Sequence, residues 1–150
     1  ALALAQPSYE AYRQVALVEP LDRNLRLKRQ RMEAALKAYG AAAEYGVAGV
    51  TTAATYYTAA IYEDFGSAML KSQRPRRLSK LELEQYEVML EEQAFPFEEK
   101  AMELHEINAQ RTKAGIYDEW VQRSFAALAK LRPVRYGKNE KSEGAIDAIR

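Results

Sequence analysis

The sequence lacks cysteine and contains a single histidine, His105, among its 150 residues. Without cysteine the chain forms no disulfide, no thiolate metal site and no cysteine nucleophile. One histidine also excludes any site that needs two, such as a diiron bundle, whose Glu-x-x-His motif must occur on two helices. We therefore expect no enzyme activity, no catalytic residues, no metal site and no cofactor.

A strong net charge and a long apolar run are missing as well. The net charge is +1, whereas dedicated nucleic-acid-binding domains are usually strongly basic, so we expect no nucleic-acid partner. Residues 45–62 carry no charge, but they include four Thr, four Tyr and two Gly. Because a spanning helix needs about twenty predominantly apolar residues, this stretch predicts a packed helix with its loop, and membrane contact that is peripheral at most.

The residues that are present are typical of a helical domain. Hydrophobic residues make up 48% of the chain and charged residues 29%, and no segment alternates polar and apolar residues over the length of a strand. The pattern predicts an all-α fold of about six helices in antiparallel hairpins. We expect the helical domain to cover residues 1–135 and a loose polar tail to cover residues 136–150.

Local signals predict where these helices begin and end. Ser8 is a candidate N-cap for a first helix over residues 8–18, which Pro20 would end. A second helix is predicted over residues 22–45 and a third over residues 51–71, joined by a turn that contains two glycines, Gly46 and Gly49. A sixth helix is predicted to begin near Asp118 and to end at Pro133, with an apolar stripe of Trp120, Phe125, Leu128 and Leu131.

The segment between these helices contains a proline where the pattern remains helical. Ser79 and Glu82 form a capping box that begins the fourth helix. An apolar stripe then continues in helical phase on both sides of Pro96, at Leu83, Tyr86, Leu90, Ala94, Phe97, Ala101, Leu104 and Asn108. Either one long helix is kinked at the proline, or two helices meet there with Pro96 in the first turn of the second. We favour two helices, with Phe95 and Phe97 packing the joint and the second helix ending before Gly115.

An internal repeat is visible at a shift of 66 residues, which pairs Tyr39 with His105 and Gly49 with Gly115. This shift is close to twice the period of about 34 residues of the tetratricopeptide repeat. The segment ALKAYGAAAEYG resembles the second helix of that repeat, and YDEWVQRSFAALAKLRP resembles a first helix with its tryptophan. The segment LELEQYEVMLEEQAFPFEEKAMELHEINAQR is similar to the C-terminal part of long bacterial tetratricopeptide proteins linked to the cell envelope and to gliding motility.

The resemblance covers residues 31–138 and implies a fold, a location and a role. It implies an irregular tetratricopeptide-like helical repeat that acts as a non-enzymatic scaffold in the bacterial periplasm or cell envelope, with a cytoplasmic location as the alternative. The partner would be another protein or further repeats of a longer chain.

Candidate site residues follow from the groove that such repeats present, because tyrosine and tryptophan are favoured at interfaces. We expect Tyr56, Tyr62 and Trp120 to line the groove, with Arg74 and Arg76 at its rim. The alternative is a helical-bundle enzyme or a domain that binds a metal or small ligand, using the glutamate-rich helices and His105. Because glutamates along a helix usually face solvent or pair with nearby cations, we favour the scaffold.

Overall fold

The structure is a computed structural model that describes residues 2–132. Within this range no strand forms, and the all-α prediction is confirmed. The helices are α1 (Leu2–Arg13), α2 (Leu21–Ala43), α3 (Ala48–Leu70), α4 (Lys80–Gln110) and α5 (119–132), with a 3-10 segment at Arg111–Ala114 between the last two. The predicted tail, residues 136–150, lies outside the described residues.

Helix α1 begins earlier and ends earlier than predicted. It starts at Leu2, so Ser8 is not its N-cap, and Pro7 lies inside the helix. Ala5 is fully buried and Leu2 packs against the core, so burial before the proline outweighs the local capping signal. The helix ends at Arg13, and the irregular segment that follows it buries Val15 and Leu17.

Helices α2 and α3 form the predicted antiparallel hairpin. The turn depends on Gly46, whose φ of +72° lies in the left-handed region that glycine adopts without strain. Helix α3 begins at Ala48, so the prediction that Gly49 belongs to the turn is wrong. Since Gly46 alone supplies the left-handed residue, the next helix can start sooner than the sequence suggested.

Helix α3 is the centre of the fold, because α1, α2 and α4 all pack on it. Ile61 and Phe65 are fully buried on its core face. Helix α4 passes close to Gly66, where a Cβ would lie in van der Waals contact, 3.4 Å from the carbonyl oxygen of Ala94 and 3.5 Å from Cβ of Phe97.

Helix α4 runs through Pro96 without interruption, so our preference for two helices at this point is wrong. The proline removes one backbone hydrogen bond and crowds the carbonyl four residues earlier. Burial on both sides of it keeps the helix in one piece, because Ala94 before the proline and Ala101 after it are both fully buried. Phe97 adds an edge-to-face contact with Phe65, with ring centroids 4.8 Å apart.

The predicted capping box at the start of α4 is confirmed. The Glu82 backbone N–H donates to Ser79 Oγ over 3.1 Å, and the Ser79 backbone N–H donates to Glu82 Oε1 over 3.2 Å. Two N–H groups that would otherwise lack a partner at this helix end are thereby satisfied.

Helix α5 is joined to α4 by a tight turn. Gly115 has a φ of +81°, and Asp118 then caps α5 by accepting hydrogen bonds of 3.0 Å from the backbone N–H groups of Trp120 and Val121. The buried face of α5 carries Val121, Ser124 and Leu128. The predicted stripe was wrong at one position, because Phe125 is 42% exposed. The predicted end at Pro133 lies outside the described residues.

The hairpins differ in size from a tetratricopeptide unit. Helices α2 and α3 with their turn span residues 21–70, which is 50 residues, whereas the repeat period is about 34 residues. The glycines paired by the repeat also differ, since Gly115 has a positive φ and Gly49 lies inside α3. Gly46 and Gly115 are the two glycines that share a positive φ at a turn, so the structural counterpart of Gly115 is Gly46.

Candidate functional site

Two of the predicted site residues are brought together where α3 meets α5. The ring of Trp120 lies 5.5 Å from that of Tyr56 and 5.2 Å from that of Tyr57, measured between centroids. The guanidinium of Arg123, one turn along α5, lies 4.5 Å from the centroid of the Trp120 ring. Contacts of this kind combine apolar burial with a cation–π attraction.

Beside this contact lies a groove of about 320 Å³, which we call the aromatic groove. Aromatic side chains from four helices line it: Tyr9 of α1, Tyr39 of α2, Tyr57 of α3 and Trp120 of α5. The rings of Tyr39 and Tyr57 are stacked with centroids 5.1 Å apart, and Tyr9 meets both edge-on at 6.3 and 5.9 Å. The remaining lining comes from α1, namely Leu2, Ala3, Gln6, Glu10 and Arg13.

Sequence reasoning missed most of this groove. Tyr9, Tyr39 and Tyr57 were not selected from the sequence as candidate site residues. The available signal was the presence of a tyrosine on each of several predicted helices. It does not reveal which helices meet, because that depends on packing between segments far apart in the chain.

The other predicted residues lie elsewhere. Tyr62 stacks on Phe97 of α4, with centroids 6.3 Å apart. Arg74 donates to the carbonyl oxygens of Leu70 and Ser72 over 2.9 and 2.7 Å, at the C-terminal end of α3. Arg76 is exposed and pairs with Glu19 at 3.4 Å.

These arginines are distant from the aromatic groove. From Tyr56 to Leu70 the chain follows 14 residues of α3, which is about 21 Å at the α-helical rise per residue. Arg74 and Arg76 therefore lie far from Tyr56 and Trp120, and Tyr62 is not among the residues that line the aromatic groove.

Three of the aromatic side chains that line the groove carry a hydroxyl, and the fourth carries an indole N–H. Burial raises the pKa of Tyr9, and it raises the pKa of Tyr39 to about 12, so both hydroxyls keep their protons at neutral pH. Within residues 2–132, neither the hydroxyls of Tyr9, Tyr39 and Tyr57 nor the indole N–H of Trp120 donate to a protein acceptor. The Arg13 guanidinium lies 5.6 Å from the centroid of the Tyr9 ring and adds further donors.

A buried polar cluster lies behind the groove and joins α3, α4 and α5. Its members are at most 1% exposed: Thr52, His105, Asn108 and Ser124. The amide of Asn108 donates to the Thr52 carbonyl and to Ser124 Oγ, each over 3.0 Å. Ser124 Oγ also lies 3.0 Å from His105 Nδ1, and Thr52 donates to the Asp118 carboxylate.

His105 lies between the Ser124 hydroxyl and the Glu63 carboxylate, an arrangement that the sequence did not suggest. His105 Nε2 has no hydrogen-bond partner and lies 4.0 Å from Glu63 Oε2, a distance too long for a hydrogen bond. Ser124 Oγ already interacts with Asn108 and has no exposed surface. A substrate carbonyl therefore has no path to this hydroxyl.

The electrostatics of the cluster also suit a structural role. Burial lowers the pKa of His105 to about 4, so the ring is neutral at pH 7. Burial likewise raises the pKa of the Glu63 carboxyl. A neutral histidine can accept a hydrogen bond from Ser124 at Nδ1 and keep its proton on Nε2, which faces Glu63. This arrangement fastens α5 to the two helices behind it.

A second groove of about 280 Å³ lies between α2 and α4, with Met69 of α3 among its lining residues. Its walls are mainly apolar, from Leu21, Leu25, Tyr86, Met89 and Leu90. In the described part of the chain, no group of three or more His, Cys, Asp or Glu side chains is placed to hold a metal ion.

No helix among residues 2–132 is long and apolar enough to cross a membrane. Comparisons of the chain with models of protein families, with curated proteins and with solved structures find no match.

Proposed function

We propose that this chain is a non-enzymatic helical scaffold that binds another protein through the aromatic groove. The observation that carries the proposal is the convergence of one aromatic side chain from each of four helices on a single groove. Tyrosine and tryptophan supply large contact areas at little cost in conformational entropy, and they dominate the binding energy of many interfaces.

The architecture of the groove supports this role. Tyr9, Tyr57 and Trp120 are partly exposed while Tyr39 is buried beneath them. A partner would therefore meet ring surfaces that are already held in place by neighbouring rings. Because the side chains are ordered before binding, less entropy is lost when the complex forms.

The alternative, an enzyme or a metal- or ligand-binding bundle, finds less support. It requires the glutamates of α4 to converge on a pocket with His105. His105 is buried on the inner face of α4, whereas Glu84, Glu91 and Glu92 are exposed on the outer face. The serine nearest to His105 is closed to solvent.

The resemblance to tetratricopeptide proteins extends the proposal to a place and a partner. On this basis the scaffold works in the periplasm or envelope of a bacterium, and it binds either a separate envelope protein or further repeats of a longer chain. Helical hairpins that each bury their apolar faces against a neighbour are suited to such extended assemblies.

A photocrosslinking experiment tests the proposal. Benzoylphenylalanine replaces Gln6, an exposed residue that lines the groove, and in a control protein it replaces Glu33, which is exposed on α2. Both proteins are illuminated in a bacterial envelope extract after their helicity has been compared by circular dichroism.

The proposal expects one protein to be crosslinked from position 6 and not from position 33. Adding Tyr9→Ala to the position 6 protein should reduce the yield, whereas adding Tyr45→Ala should not, since Tyr45 is 69% exposed and lies at the α2–α3 turn. Equal crosslinking from both positions, or none from either, would refute binding through this groove.

A further inference from the structure

Helix α5 is attached to the rest of the fold outside the main hydrophobic core. The core cluster of buried apolar side chains draws on α1, α2, α3 and α4, and no residue of α5 within 119–132 belongs to it. The apolar residues of α5 that are at most 2% exposed are Val121 and Leu128. Because an element with few buried apolar contacts opens at a lower free energy than the core, we expect α5 to open before the other helices.

The centre of the interface that holds α5 is polar. Ser124 Oγ lies 3.0 Å from His105 Nδ1 and accepts a hydrogen bond of 3.0 Å from the Asn108 amide. Among residues 2–132 these two groups are the hydrogen-bond partners of the Ser124 hydroxyl. With a neutral imidazole every group is satisfied, because the hydroxyl donates to Nδ1 and accepts from Asn108. The attachment of α5 therefore depends on the ring being neutral.

A second proton on His105 would upset this arrangement. An imidazolium donates at Nδ1, so the Ser124 hydroxyl would accept from both neighbours and its own proton would have no acceptor. The other ring nitrogen, Nε2, is buried without a hydrogen-bond partner, so a charged ring would also lack hydration there. Burial accordingly lowers the pKa of His105 to about 4 while α5 is in place. Opening of α5 exposes Nδ1 to water and moves the pKa back toward 6.5.

The titratable groups in contact with His105, within residues 2–132, both come from α3. The Glu63 carboxylate oxygen lies 4.0 Å from Nε2, and the centroid of the Tyr56 ring lies 5.6 Å from that of the imidazole. Burial raises the pKa of Glu63, and the charge of Lys130 on α5 counters this in part. As the pH falls, the closed form therefore takes up a proton at Glu63, which opposes opening.

We propose that α5 opens as a unit in acid, and that proton uptake by His105 drives its separation from α3 and α4. The polar cluster holds α5 in place near neutral pH and releases it as the ring becomes charged. Opening removes Trp120 from the aromatic groove and uncovers the face of α4 that carries His105 and Asn108. The opening is a property of the fold itself and requires no partner.

The expected size of the effect follows from proton linkage. If opening restores the ordinary pKa of His105, this residue alone raises the ratio of open to closed molecules by about 20-fold between pH 7 and pH 5. Glu63 makes the rise smaller in the unaltered protein. Glu63→Gln removes this opposing contribution and should show the full effect.

Hydrogen exchange followed by mass spectrometry tests the proposal, under conditions in which the opening equilibrium limits exchange. Protection factors are measured at pH 7 and pH 5 for peptides from α5 and from α3 around Ile61, each corrected for the intrinsic exchange rate at that pH. Helix α5 should be less protected than α3 at both pH values, because it opens while the core stays folded. Between pH 7 and pH 5, α5 should lose about 20-fold in protection in Glu63→Gln and less in the unaltered protein.

Two further variants assign the proton uptake. In His105→Asn the side chain does not titrate, so the loss of α5 protection on acidification should disappear. Ser124→Ala keeps the histidine and removes one hydrogen bond, so α5 should be less protected at both pH values while its loss on acidification remains.

The two parts of the proposal can fail separately. Equal protection of α5 and α3 at pH 5 would overturn the separate opening of α5, because both would then exchange through unfolding of the whole molecule. A loss of α5 protection in acid that persists in His105→Asn would overturn the role of His105, as would an unchanged α5 protection in Glu63→Gln.

Discussion

The buried imidazole of His105 makes the stability of the fold sensitive to acid. The side chain is 1% exposed, and burial lowers its pKa from 6.5 to about 4. The folded state therefore favours the neutral ring, while the unfolded chain takes up a proton near its ordinary pKa. Stability should fall as the pH drops from about 6.5 to about 4, and below that the ring is protonated in both states.

The size of this effect follows from the shift in pKa. A change from 6.5 to about 4 corresponds to about 3 kcal/mol at 1.36 kcal/mol per pKa unit. The Glu63 carboxylate oxygen lies 4.0 Å from Nε2, too far for a hydrogen bond to the ring. Burial raises the pKa of the Glu63 carboxyl, which weakens any compensating charge as the pH falls.

Urea unfolding of the protein and of His105→Asn at pH 7, 6, 5 and 4 tests this reasoning. Asparagine does not titrate, and its amide oxygen can replace Nδ1 as an acceptor for Ser124. We expect the free energy of unfolding of the unaltered protein, relative to the variant, to decrease by about 3 kcal/mol between pH 7 and pH 4. Other titrating groups, including Glu63, are present in both proteins, so their contributions to the difference in the free energy of unfolding largely cancel. A difference that is the same at pH 7 and pH 4 would refute the idea that burial keeps His105 neutral.

Three further substitutions have expected effects on urea unfolding at pH 7. Pro96→Ala should raise the free energy of unfolding by about 1–3 kcal/mol, because α4 is continuous and alanine restores its missing backbone hydrogen bond; a loss of stability would contradict a single helix. Ser79→Ala should lower it by about 1 kcal/mol through loss of the capping box, and an unchanged midpoint would show that the cap has no net effect. Lys28→Met should lower it by about 2 kcal/mol, because the buried ammonium donates to the carbonyl oxygens of Tyr12 and Val15 over 3.2 and 2.9 Å. The matched change Lys37→Met, at an exposed position of the same helix, should have little effect, and equal losses from both would argue against the buried hydrogen bonds.

The parts of the fold that depend on residues close together in the sequence could be predicted from it. The capping box of Ser79 requires only residues within one turn, and it is present. The apolar stripe of α4 also kept its phase, with Leu90, Ala94 and Ala101 buried. The prediction at Pro96 was wrong because the cost of one proline is local, whereas the burial that outweighs it comes from α3.

The candidate site could be predicted only in part for the same reason. Tyr56 and Trp120 do meet, but only Trp120 lines the groove. The groove also needs Tyr9 and Tyr39, whose helices approach α3 from other parts of the chain. The polar cluster was not foreseen at all. Its contacts join residues far apart in sequence, such as Thr52 and Asp118, which are separated by 66 positions, and periodicity within one helix carries no information about them.

The fluorescence of Trp120 can report whether α5 is packed on α3. It is the only tryptophan among 150 residues, and it lies on α5 with the rings of Tyr56 and Tyr57 of α3 at 5.5 and 5.2 Å. At these separations excitation of the tyrosines passes efficiently to the indole. Detachment of α5 alone would therefore abolish much of this transfer while most of the far-ultraviolet dichroism remained, whereas global unfolding would change both signals together. Comparing the two signals during one titration would show whether the last helix opens before the rest of the fold.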